Sequence, residues 1–130
     1  MALYFLSTSI ISLASWISEA GIEVKRFVVQ PGDVTAFKRV LSVIKDTYDK
    51  MIREGHEVIN AISHESTVKL LNELLDEDFV PNRNPVYLQE GDVAIALKPF
   101  GRPPAGKELT VDDLIALGLD VYIMKVVHAR

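Results

Sequence analysis

The residues best equipped for chemistry lie together in ten positions. The apolar run Val58-Ile59-Asn60-Ala61-Ile62 ends abruptly in Ser63-His64-Glu65-Ser66-Thr67, a hydroxyl-rich turn around one histidine. Such a junction reads as a strand meeting a helix N-terminus, where unpaired backbone N–H groups and a partial positive charge suit an anion such as phosphate. His64 at its mouth would put a titratable group beside that anion. The bland alternative stays open: a histidine at a helix start also caps, packs or faces water, and Ser63, Ser66 and Thr67 can serve as capping hydroxyls without any ligand. Cations are available further on. Arg83 and Arg102 each lie in a loop punctuated by Pro or Gly, and Lys107 follows Gly106; loop cations are commonly just solvated, but rigid loops also carry binding groups.

The elements that must position these residues follow from periodicity. Leu3 to Leu6 reads as a first, buried strand, followed by a loop bearing Ser7, Thr8 and Ser9; Ile22 to Val29 reads as a second strand ended by Pro31-Gly32. Val34, Phe37, Val40, Leu41, Ile44, Tyr48, Met51 and Ile52 recur at three- and four-residue spacing, which predicts a long helix with Asp33 as N-cap and Gly55 as stop. Glu57 to Ile62 is a short strand. A second helix runs from about His64 with Val68, Leu71, Leu74 and Leu75 as its apolar stripe and Ser63 as N-cap. Val86 to Leu88 is expected to form a hairpin with Val93 to Leu97 through the Glu90-Gly91-Asp92 turn. Thr110 with Asp113 marks a helix start, Gly118 its end, and Val121 to Val127 a closing strand. Alternating strands and helices without repeats or linkers predict one compact α/β domain over residues 1–130, with a mixed sheet flanked by helices.

Composition narrows the function classes. The 130 residues are 48% hydrophobic with a net charge of -4, enough chain to bury roughly two thirds of its unfolded surface. General DNA binding is not expected, since it needs Lys and Arg to displace counterions from a long polyanion. There is no cysteine, hence no disulfide framework or thiolate site. His56, His64 and His128 are too scattered for a zinc pattern, and Asp76-Glu77-Asp78 reads as a solvated helix end, so no metal or other cofactor is expected. Residues 1–18 carry no charge but are broken by hydroxyls and lack a basic start, so neither a secretory signal nor a membrane span is expected. Together these point to the cytoplasm.

Ile59-Asn60-Ala61-Ile62-Ser63-His64-Glu65-Ser66-Thr67 followed by Leu70-Leu71 resembles the histidine motif of the viral anti-CRISPR ring nucleases and their cellular relatives. Asn82-Arg83 resembles that family's asparagine-arginine pair, and Arg102 with Gly106-Lys107 its arginine loop before the last helix. The resemblance implies a homodimer that binds cyclic tetra-adenylate, the messenger of type III CRISPR defence, and cuts it without metal. In such proteins a ribose 2'-hydroxyl attacks the adjacent phosphorus in line and the histidine protonates the departing 5'-oxygen, leaving 2',3'-cyclic phosphate ends. The cytoplasm would then be that of the host cell. His64 would be the general acid; Ser7, Thr8, Ser9, Ser63, Ser66, Thr67, Arg83, Arg102 and Lys107 would bind substrate. Imidazole, with an ordinary pKa of about 6.5, suits general-acid work near neutrality. Three departures stand out. Ser7 replaces an asparagine, Ser63 commonly a glycine, and Ala105 a glutamate that assists the site in some relatives. The alternatives are a cyclic oligoadenylate-binding protein with little turnover, or a dimeric viral module that binds DNA or protein.

Overall fold

The computed structural model describes residues 1–6, 21–82, 84, 86–101 and 110–128. Five strands and three helices make a single α/β domain: β1 (Ala2–Leu6), β2 (Gly21–Val29), α1 (Val34–Arg53), β3 (Glu57–Ala61), α2 (Glu65–Leu75), β4 (Val93–Pro99), α3 (Val111–Leu117) and β5 (Leu119–His128). The sheet order is β2-β5-β4-β1-β3. β1 lies between β3 and β4 and is parallel to both, while β5 runs antiparallel to β4 and β2.

The long helix forms where its apolar face demands. Phe37, Val40, Ile44, Tyr48 and Met51 are buried along one side, and the Asp33 carboxylate accepts from the Ala36 N–H at 3.0 Å as N-cap. These side chains, with Leu71 and Leu75 of α2 and Leu114 of α3, pack on Leu3, Phe5, Ile95, Leu97 and Val121 of the sheet. The helices therefore share one face. On the other face Leu6, Ala94, Ala96, Met124 and Val126 form a second cluster covered in part by Leu88.

The expected hairpin is not formed. Residues 86–89 are not a strand; Leu88 instead packs its side chain on that second cluster, and β4 takes β1 and β5 as neighbours. The sheet is mixed, as expected, but because β5 returns antiparallel rather than because of a hairpin. The cap of α2 also differs, being His64 and not Ser63. The reason lies in Ile62: its N–H donates to Asn60 Oδ1 at 3.1 Å and its carbonyl accepts from the Asn82 N–H at 2.9 Å. Both bonds hold the chain extended past the strand end, and the helix starts one residue late.

Candidate functional site

β1, β3 and β4 are parallel, so their C-terminal ends share one rim of the sheet, the location where open α/β sheets receive ligands. Leu6 is opposite Ala61 there, and β4 continues past Leu6 to Pro99. The chain that leaves this rim after Ala61 leads through Ile62 and Ser63 to His64.

His64 is exposed and extended (φ -78°, ψ 115°), and its carbonyl accepts the Val68 N–H at 3.1 Å to open α2. Its imidazole makes no capping hydrogen bond. Among the described residues the ring has no hydrogen-bond partner, and it sits at the positive end of an 11-residue helix. Ser63 and Ser66 are half-buried and Thr67 is buried, so His64 alone of these four is exposed. Ser7, Thr8, Ser9, Arg83, Arg102 and Lys107 lie outside the described residues, as does Ala105.

The neighbourhood of Arg83 is nonetheless tied to the histidine turn, by a set of amides that periodicity does not reveal. Asn72 on α2 bonds both backbone groups of Phe79, at 2.8 and 3.0 Å. Asn60, buried in β3, donates to the Val80 carbonyl at 2.8 Å. Asn82 donates its side-chain amide to the Asn60 carbonyl at 3.0 Å and accepts the Asn84 N–H at 2.9 Å. Three asparagines therefore lead the chain back from the end of α2 to the end of β3, where Asn82 bonds the carbonyls of Asn60 and Ile62, two residues before His64. Phe79 anchors the return by packing against Phe5 with ring centroids 5.7 Å apart.

A cleft of about 250 Å³ opens beside the first turns of α2, lined by Ser66, Lys69 and Glu73 on that helix and by Thr110 and Leu114 of α3. Lys69 went unremarked in the sequence although its three-residue spacing from Ser66 sets both on one helical face. Thr110 and Asp113 close a capping box, which anchors α3 against this cleft. Among the described residues no group of three His, Cys, Asp or Glu side chains could hold a metal ion, and no helix is long and apolar enough to cross a membrane.

A family model described as STIV B116-like matches residues 24–121. The chain belongs to the STIV B116-like family. The match takes in β3, the histidine turn, α2 and β4. Over 79 residues the chain is 30% identical to uncharacterized protein 26 of Sulfolobus islandicus filamentous virus, covering 60% of this chain and 67% of that protein. Over 74 residues it is 35% identical to uncharacterized protein ORF116 of Acidianus filamentous virus 1, covering 57% and 63%. The alignment thus spans about two thirds of these relatives' own length. Among solved structures, B116 of Sulfolobus turreted icosahedral virus shares the fold with a TM-score of 0.65 and 19% identity, over 96% of this chain and 99% of that one. Its relatives in this family are viral proteins.

Proposed function

We propose that this chain is a viral ring nuclease, which binds cyclic tetra-adenylate as a homodimer and cleaves it without metal, silencing type III CRISPR signalling. The observation that carries the reading is His64: an exposed imidazole, free of capping duty, at a helix N-terminus near the rim formed by the C-terminal ends of the parallel strands. A phosphate there meets the helix dipole, and the imidazole can deliver a proton to a leaving oxygen. Arg83, Arg102 and Lys69 supply positive charge to phosphates, and holding the ribose hydroxyl in line is where most of the rate would come from. The homodimer is the assembly that would let two copies of His64 face one ring. A two-fold dimer also matches a ring with internal two-fold symmetry.

The test is chromatography of cyclic tetra-adenylate incubated with purified protein and excess chelator. Linear products with 2',3'-cyclic phosphate ends are expected, with the rate falling roughly 10²- to 10⁴-fold in His64→Ala. Intact rings after prolonged incubation with excess enzyme, or full activity in the variant, would sink the proposal. Stoichiometric capture with almost no product favours the binding-module alternative, which Ala105 in place of a carboxylate makes the natural second reading.

A further inference from the structure

At the opposite end of the strands from His64, a groove of about 390 Å³ lies between the C-terminal half of α1 and the helix-facing side of β2 and β5. That volume is within the range of roughly 300–1,000 Å³ typical of small-molecule sites. Its floor is apolar. Phe27, Met51, Val93 and Ile123 supply it, and the polar group among them, the Thr47 hydroxyl, is engaged by the Val43 carbonyl at 2.8 Å.

The rim is basic. Lys25, Lys50 and Lys125 converge there from β2, α1 and β5, against one carboxylate, Glu23. Among the described residues none of the three lysines forms an ion pair. The opposite face of the same strands handles its cation differently: Arg26 is paired to Asp120 at 3.0 Å through two hydrogen bonds and lies over the Tyr122 ring. Lys25 and Lys125 have no such partner although Glu23 is directly across from Lys125 in the register. In a chain of net charge -4, three ammonium groups around an apolar floor form a local exception.

We propose that this groove binds a fatty-acid-like anion, with the hydrocarbon on Phe27, Met51 and Ile123 and the anionic head among the three lysines. The chemistry of the floor decides the body. A nucleobase would need donors and acceptors for its edges, and the floor offers only the oxygen of the Thr47 hydroxyl, whose proton is already given to Val43, whereas an alkyl chain needs only apolar contact. The lysine stems can lie along that chain while their ammonium groups reach the head.

The experiment is a titration of the isotopically labelled full chain with decanoate, below its micelle concentration, followed by amide chemical shifts. Saturable shifts confined to the amides around Thr47, Ile123 and Lys125 are expected. Affinity should fall about tenfold or more in the Lys50→Ala/Lys125→Ala double variant, since charge-assisted contacts are the strong ones. Thr47→Phe, which fills the floor, should abolish binding while thermal unfolding shows the chain still folded. Decanol should bind more weakly than decanoate, and inorganic phosphate should not register. Four outcomes overturn the proposal: no saturable shifts; equal affinity for decanol; equal or tighter binding of adenosine monophosphate; or binding seen only when the protein is diluted to monomer, which makes a second copy the occupant. Ring cleavage plays no part in the readout, so failure of one proposal leaves the other standing.

Discussion

Asn60 is the side chain on which the arrangement around His64 most depends. It is 8% exposed, and it satisfies the Ile62 N–H and the Val80 carbonyl while its own carbonyl holds Asn82. Asn60→Ala leaves the buried Ile62 N–H without a partner, at a cost of about 1–3 kcal/mol, and also loses the part-buried bond to the Val80 carbonyl. We expect urea unfolding to show a loss of about 3 kcal/mol for Asn60→Ala and about 1 kcal/mol for Asn82→Ala, whose bonds lie nearer solvent. Equal, small losses would show that Asn72 and Phe79 suffice to fix the return segment. Little of this was legible beforehand, because an asparagine in a short strand looks like ordinary alternation and two of its partners, Val80 and Asn82, are 20 and 22 residues away. Ser63 misled for a related reason: its type favours capping, but amide bonds to Ile62 outweigh that preference.

The helices were easier to read than the short strands. Eight apolar positions at helical spacing and an Asp at the start leave little else for residues 34–53 to be. Val86 to Leu88 has no such redundancy; three residues cannot distinguish a strand from a loop that buries one leucine. The junction of α3 with β5 depends on one glycine. Gly118 has φ +82°, and a Cβ there would lie 2.8 Å from the Val29 carbonyl oxygen and 2.9 Å from the Phe100 ring. Its carbonyl also accepts the Phe100 N–H at 3.1 Å, so the ends of β2, β4 and α3 converge on it. Gly118→Ala is expected to cost about 2–4 kcal/mol in unfolding free energy, combining backbone strain with a backbone clash. A loss under about 1 kcal/mol would mean that β2 can give way here.

The whole domain carries an alkaline limit. Burial first, and then the hydrogen bond and charge of Glu77, raise the Tyr48 hydroxyl well above its usual range. The folded state therefore holds this proton more tightly than the unfolded chain does. Its contribution to stability is complete below the unfolded value of about 10 and is lost as pH rises through the higher folded value. Tyr4 shifts the same way, through burial and then the charges of Asp92 and Glu57, so Tyr48 accounts for a share of the effect. We expect the thermal midpoint to drop above pH 10, with a shallower drop in Tyr48→Phe; parallel curves would rule out Tyr48 as a source. At neutral pH the same variant should lose about 1 kcal/mol through the missing bond to Glu77.

The place of β1 between β3 and β4 has a consequence for the order in which this chain is made. Leu3 pairs with Val58 on one side and Val93 on the other, so β1 is made before either of its neighbours. At roughly 5–20 residues per second, the stretch from Leu3 to Val93 takes on the order of 5–18 seconds to synthesise. Until then Leu3 and Phe5, both fully buried in the finished domain, lack at least one of the two strands that flank them. Such long-range pairing slows folding and leaves the apolar side chains of β1 exposed during synthesis.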